Sequence, residues 1–508
     1  MRFLLYFYFT FYSHASNHSL YSLIAMQNEF FNHKLNVTRR HFLGKAAAGI
    51  GTLGLGSLLM PSLFKGDENL DQLPLGLPHF APKAKRVIYL FQNGAPSQLE
   101  TFDYKPTLTK MMGQDLPASI RNGQRLTGMT SNQTKFPLMG SFFDFKQYGQ
   151  SGAWVSDLFP NMAKIVDDLC IIKTMNTDAI NHDPALTFLQ TGAQVGNRPS
   201  MGAWASYGLG SENKNLPAFC VLLSRGRGNG QGVYSKLWTN GFLDSTHQGV
   251  VFSSGEDPIL YLNDPEGTDK IARRRMLDKL AELNHLGFDE NGDPEVQAKV
   301  QQYEMAYRMQ TAVPELTDLS KEPDHIIKMY GPECLVPGTY AANALLARKL
   351  SESGVRFVQL YHQGWDQHGN LPNEMPLQAQ DVDRASAALI TDLKQRGLLD
   401  ETLVIWGGEF GRTNYCQGTF TKDNYGRDHH PRAYSIWMAG GGVKPGIVWG
   451  ETDEFGYNIV RDPVHIHDFH ATIMHLMGLN HEQLTYKHLG RRYRLTDVGG
   501  NVISGLMA

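Results

Sequence analysis

The sequence predicts an α/β protein built on a mostly parallel sheet with helices on both faces. Short apolar runs rich in β-branched and aromatic residues alternate with amphipathic helical stretches, the pattern of strands joined by helical crossovers. Two of the runs lead straight into glycine-flanked clusters of carboxylates and imidazoles. Such clusters belong at the carboxyl ends of strands in an open sheet.

Arg86 to Phe91 reads as the first buried strand and ends in Gln92-Asn93-Gly94-Ala95-Pro96-Ser97. Residues 104–150 are turn-rich and weakly periodic, a surface excursion. A helix is expected over Leu158 to Val166, a strand over Leu169 to Lys173, and a helix over His182 to Thr191 that stops at Gly192. Pro217 to Leu223 reads as a strand. Residues 225–335 are rich in glycine, then in charge, with helical stretches at Asp269 to Leu286 and Pro294 to Gln310. They read as a helical insertion or lid. Alternation resumes with helix Tyr340 to Ser353, strand Val355 to Tyr361, helix Pro376 to Arg396, strands Thr402 to Trp406 and Tyr434 to Ala439, and helix His467 to Met477.

With 508 residues the chain is long enough for one large domain with insertions or for two domains. Its 47 basic and 50 acidic residues leave a formal net charge of −3, which gives no global pull toward nucleic acid or an acidic membrane. The four cysteines are far apart and form no CxxC motif, so neither a disulfide framework nor a cysteine-ligated zinc is expected, although a single bridge stays open.

Near the N-terminus, Thr38-Arg39-Arg40-His41-Phe42-Leu43-Gly44-Lys45 precedes an apolar, glycine-rich run from Ala46 to Met60. This resembles a twin-arginine export signal. The competing reading is a transmembrane anchor, but a run of about 15 residues falls short of the roughly 20 that span a bilayer. Met26 is an alternative start. The expected organisation is an extension and signal over 1–64, a linker over 65–84, the α/β domain over 85–498 with its insertion near 225–335, and a tail over 499–508. The protein is expected to use the twin-arginine export machinery and to be periplasmic or extracellular, or tethered by an uncleaved signal.

The chemistry concentrates in Trp365-Asp366-Gln367-His368, Gly408-Glu409-Phe410-Gly411-Arg412-Thr413 and Gly426-Arg427-Asp428-His429-His430. Hard oxygens and imidazoles suit a divalent metal, and arginines suit an anion. Arg412 and Arg427 either clamp an anionic oxygen or pair with Glu409 and Asp428. His182, beside Asp183 at a helix start, is either a base or a cap-region residue. The histidines from His465 to His475 lack a clean helical ligand spacing and read as structural.

These motifs resemble the alkaline phosphatase/sulfatase superfamily. The likeness lies in the layout of Asp383 to Gly411, in Ala439-Gly-Gly-Gly-Val-Lys-Pro-Gly446 and in Asp468 to Gly478. Together with the export signal and the ending Gly490-Arg-Arg-Tyr-Arg-Leu-Thr-Asp-Val498, the set is most similar to the exported family known as domain of unknown function 1501. That resemblance covers roughly residues 85–498. It implies a sulfatase-like fold and a site in which Asp366, His368, Glu409 and either His429 or His430 hold a divalent metal, with zinc, calcium and manganese all open and His429 preferred. His182, Glu409 and His430 are the implied catalytic groups, and Asn93, Ser97, Arg412 and Arg427 the substrate contacts. The superfamily's nucleophile position falls on Asn181-His182-Asp183, which offers no hydroxyl or thiol, and Phe410 stands where a second metal ligand belongs. The implied activity is hydrolysis of an anionic phosphate or sulfate ester, small molecule or glycan, with one main ion and an activated water. The alternative is a non-catalytic exported binding protein on the same fold. No nucleic-acid partner is expected, and the oligomeric state is open.

Overall fold

The computed structural model describes residues 77–508, apart from 229, 255–257, 260–261, 263, 265–268, 292–293, 419 and 422–423. The export-signal reading therefore lies outside the described residues.

A nine-stranded sheet forms the centre. Its members are β1 (Arg86–Asn93), β2 (Cys170–Asn176), β3 (Phe219–Arg225), β4 (Val250–Phe252), β5 (Phe357–Gln363), β6 (Thr402–Gly407), β9 (Tyr434–Ala439), β10 (Ile447–Trp449) and β11 (Val464–His465). Between β6 and β9 the chain forms a separate antiparallel hairpin of β7 (Gly411–Cys416) and β8 (Arg427–His430). The sheet order is β10-β2-β9-β6-β1-β5-β3-β4, with β11 also on β2. Every pairing is parallel except those of β9 with β6 and β2.

Strand side chains alternate between two apolar cores. Ile88 and Leu90 of β1, Leu360 of β5 and Trp406 of β6 face one layer, made by α3 (Tyr340–Glu352) and α4 (Leu371–Gln395). Val87, Tyr89 and Phe91, with Tyr361 and Ile405, face the other, made by α1 (His182–Thr191), α2 (Met201–Leu209) and α5 (Ile466–Leu476). Burial on both faces is what a parallel sheet requires, and it explains why these strands read as nearly continuous apolar runs. Residues 270–300 belong to a separate unit. It contains the helix Lys270–Asn291, laced by the ion pairs Arg274–Asp278 and Lys279–Glu282, and the start of the helix Pro294–Thr317.

The differences from the sequence reading are local and have physical causes. β5 starts at Phe357 rather than Val355, because Val355 still belongs to the end of α3. Its N–H donates to Leu350 (3.0 Å) and that of Gly354 to Ser351 (3.0 Å). This is a Schellman ending, with Gly354 at φ +88. The helix expected at Leu158 to Val166 is instead the 3₁₀ stretch Met162–Asp168. It is capped from outside by Asp383 of α4, which accepts from the N–H groups of Asn161 and Met162 (2.9 and 2.8 Å) and from the Asn161 amide (2.7 Å). Helix α2 and edge strand β4 have no counterpart in the sequence reading.

Asp383 is 3% exposed, so Asp383→Ala leaves buried donors without partners. Each such group costs ~1–3 kcal/mol. We expect a clear fall in the urea midpoint with the slope unchanged; an unaltered midpoint would show the cap to be dispensable.

Candidate metal centre

β5 and β6 lie on opposite sides of β1, so their exit loops meet at its carboxyl end, where open α/β sheets place their sites. β1 delivers Asn93 and Gly94, β5 delivers Asp366 and His368, and β6 delivers Glu409. β2 leads to His182 at the start of α1, and the β7–β8 hairpin brings in Arg412 and His429. The loops approach closely at Gly94 (φ +108), where a Cβ would sit 2.7 Å from the Asp366 nitrogen.

One oxygen, Oδ1 of Asp366, is the meeting point. His368 Nε2 lies 2.9 Å from it, His182 Nε2 3.1 Å, His429 Nε2 3.9 Å and an Arg412 NH2 2.8 Å. The Gln231 amide donates to the other carboxylate oxygen. His182, Asp366, His368 and His429 each offer a ligand atom, and these atoms lie within 4.8 Å of one another.

Each imidazole is oriented by its far nitrogen. His368 Nδ1 faces Gln417 Oε1 (2.6 Å), His429 Nδ1 faces the Ile180 carbonyl (2.7 Å) and His182 Nδ1 faces Glu409 Oε1 (2.5 Å). All three partners are acceptors, so a ring that gives up its Nε2 proton keeps the one on Nδ1, and its Nε2 lone pair is then free for a cation in place of the contact with Asp366. The Nε2 atoms of His368 and His429 stand 3.0 Å apart, an arrangement that a shared cation stabilises. Metal-binding histidines are characteristically held this way, by an oxygen on the other ring nitrogen. The donor set therefore fits a divalent ion.

The electrostatics agree with the geometry. Burial alone would raise the Asp366 carboxyl, but hydrogen bonds from His182 and His368, the nearby His429 ring and the Arg412 charge hold it well below the usual carboxylate range. Burial would lower His182, yet its bonds to Asp366 and Glu409 raise it above an ordinary imidazole. His429 is pushed down to about 4 by burial, with Asp366 opposing and Arg412 reinforcing the shift. The cluster reaches solvent at His368, whose side chain is 21% exposed.

Residues 84–507 match the family described as protein of unknown function, DUF1501. The chain belongs to that family. No functionally curated protein matches it. Solved structures similar to it include Ps i-CgsB in complex with k-i-k-neocarrahexaose (10% identity, TM-score 0.34, covering 78% of this chain and 72% of that one). Others are an alkaline phosphatase from the Antarctic bacterium TAB5 (11%, 0.31, 78% and 99%) and the lipoteichoic acid synthase LtaP from Listeria monocytogenes (9%, 0.30, 83% and 77%).

Of the residues singled out in the sequence, the structure brings Asp366, His368 and His429 together and places His182 among them, with Glu409 outside the group. His182 points into the cluster, whereas Glu409 stands behind it, accepting from His182 and from the Gly94 N–H (3.2 Å). His430, expected as a catalytic group, lies outside the cluster. Successive strand residues face opposite ways, so His430 turns away from His429. It bonds the Tyr457 carbonyl (2.8 Å) and stacks on the Tyr457 ring at 4.4 Å. Burial pushes it down to about 4.

Arg412 and Arg427, expected as substrate contacts, are both engaged internally. The guanidinium of Arg412 is spent on Asp366 and on the carbonyls of Ala95, Gly94, Trp365 and Arg427. Arg427 pairs with Glu100 (2.6 Å), and both are fully buried. Neither arginine pairs with Glu409 or Asp428. Asp428 instead accepts from the Thr127 and Thr130 hydroxyls at 2.5 Å.

Asn93 donates to the Gln231 carbonyl (2.8 Å), while its Oδ1 and the Ser97 hydroxyl are buried without a partner among the described residues. Of the later histidines, His470 bonds the Leu189 carbonyl, His467 that of Gly192, and His465 caps α5, all structural. Gln231, Gln417 and Glu100 escaped sequence reasoning, because nothing in their local pattern marks them.

Removing one partner of a buried pair strands the other charge, at about 3–5 kcal/mol. Arg427→Met should therefore destabilise strongly, and Glu100→Gln combined with Arg427→Met should recover part of the loss in chemical denaturation. Equal midpoints for the single and double variants would refute the pairing.

Proposed function

We propose that this protein is an exported, metal-dependent hydrolase of phosphate or sulfate esters, with one divalent ion held by His182, Asp366, His368 and His429. The observation that carries this reading is the convergence of three imidazole Nε2 atoms on one carboxylate oxygen, each ring oriented through Nδ1. Three nitrogens and an oxygen suit zinc better than calcium, which takes six to eight oxygens. Such an ion, when bound, supplies Lewis-acid polarisation of an ester oxygen and lowers the pKa of water.

The residues around it have separable tasks. Glu409 fixes the His182 ring through its Nδ1. Arg412 locks the Asp366 carboxylate. Phe410 packs its ring on His182 and His429, at 4.9 and 4.5 Å between centroids, and keeps that side dry. The substrate would enter at His368, the most exposed member. The first turn of α1 offers no hydroxyl or thiol, so displacement would proceed by direct attack of water, without a covalent ester on the protein. The anionic ester, the glycan option and passage through the twin-arginine export machinery are part of this proposal.

The second reading is a non-catalytic exported binding protein. It is favoured by that same missing nucleophile and by the internal use of both arginines, which leaves neither to clamp an anion.

Purified protein should carry about one zinc or manganese ion. Asp366→Ala, His368→Ala and His182→Ala should each lower occupancy at least about tenfold while the fold is retained. Full occupancy in all three variants would falsify the site. Chelator-sensitive turnover of aryl phosphates, phosphodiesters or sulfates supports the hydrolase; bound metal without turnover supports the binding protein.

The pH dependence has a definite sign. The ligand imidazoles must be neutral to bind, and His182 holds its proton to a pH above the ordinary value of about 6.5. Metal affinity should therefore fall as pH drops through that region, with proton release on binding detected by calorimetry in buffers of different ionisation enthalpy. A flat affinity from about pH 5.5 to 7.5 would exclude His182 as a ligand.

A further inference from the structure

The C-terminal hairpin Tyr486–His488/Arg491–Tyr493 plays no part in the metal centre and has three unusual features. The first is its tip. Leu489 and Gly490 form a two-residue turn with φ +45 and +85. Turns with positive φ at both positions favour Asn-Gly, and a leucine there is disfavoured. Leu489 is also 92% exposed, so no packing within the described residues compensates for its conformation. A strained and solvated apolar residue is a pointer to function.

The second feature is charge. The register sets Lys487 directly opposite Arg492 and His488 opposite Arg491, and like charges across a strand pair destabilise it. Among the described residues no carboxylate lies within ion-pair distance of Lys487 or Arg492; Arg492 reaches only the Thr485 hydroxyl (3.3 Å). Arg491 is tied to Asp497 (2.7 Å) and Arg494 to Glu482 (3.2 Å).

The third is rigidity. Phe242 stacks on Tyr486, His488 and Tyr493, with ring centroids 5.7, 5.0 and 4.9 Å away, and Arg198 and Arg491 each lie over the Tyr493 ring. The tip is thus presented on a braced base. It also lies away from the metal centre. α1 starts at His182 in the cluster and ends at Gly192, which packs against the Leu495 carbonyl just beyond the hairpin. Ten helical residues span about 15 Å.

We infer that this hairpin docks onto an anionic phospholipid surface, with Leu489 entering the headgroup boundary and Lys487 and Arg492 neutralised by lipid phosphates. An apolar tip flanked by two cations that have no carboxylate partner among the described residues matches such a surface, where apolar insertion and headgroup attraction add. A polyanionic glycan would answer the charges but has no use for the exposed leucine. The net charge of −3 does not oppose this, because the attraction is local and acts within a Debye length.

The test places an environment-sensitive fluorophore at the tip of the full chain through Leu489→Cys; the four native cysteines are all buried. Vesicles containing phosphatidylglycerol should give a blue-shifted, brighter signal at low salt, and vesicles of phosphatidylcholine alone should not. This reads the tip itself, whatever the N-terminal segment does. Adding Lys487→Gln and Arg492→Gln should raise the lipid concentration for half-maximal change roughly thirty-fold, as expected for two cations of about 1 kcal/mol each. Unlabelled Leu489→Asn, which suits the turn, should melt at or above the wild-type temperature yet compete less well for the vesicles. No spectral shift on anionic vesicles overturns the inference. So does a response to a soluble sulfated polysaccharide that matches the vesicle response, which would assign the hairpin to a glycan.

Discussion

The carboxylate of Asp366 is the constraint around which the centre is arranged. It is 3% exposed, and an isolated buried carboxylate is too costly to persist as an anion. Here the cost is offset by two close imidazoles, an arginine and an amide, with the ring of His429 slightly farther off. The parallel sheet makes this convergence possible, because the carboxyl ends of β1, β2, β5 and β6 all open on one edge of the molecule.

The hairpin β7–β8 is the other half of the construction. It adds nothing to the central sheet, yet it supplies both Arg412 and His429. Its position is held by buried guanidinium groups whose planar forks each reach several acceptors at once, something a lysine could not reproduce. Arg427 ties the hairpin to Glu100 beyond β1, and Arg412 ties it to the loops after β1 and β5. Asp428 extends the same scaffold into the turn-rich excursion through Thr127 and Thr130. That excursion, which reads from the sequence as surface material, is therefore a buttress of the site. The arginines are engaged within the scaffold, and the imidazoles line the centre.

Much of the fold was legible in the sequence because parallel strands buried on both faces leave an unmistakable apolar run. β1, β6 and β9 match their expected positions closely, and α1 was bounded correctly by His182 and Gly192. Misjudged boundaries lay where a hydrogen-bonded cap, rather than hydrophobic pattern, decides the element, as at Val355 and Asn161. The missed elements are short or atypical: β4 has only three residues at a sheet edge, and α2 is almost uniformly apolar and so has little periodicity to read.

The sequence by itself determined the family, the α/β class and the three motifs that meet at the centre, since residue type and strand-end position are local properties of the chain. Tertiary structure alone decided which side chains face inward. The pleat of β8 turns His429 in and His430 out, although the two are chemically identical neighbours. The start of α1 brings His182 against Asp366 from nearly two hundred residues away in sequence and leaves Glu409 behind it as the group that orients the ring. Those assignments depend on long-range contacts between loops, and no local pattern encodes a contact whose partner lies on another strand.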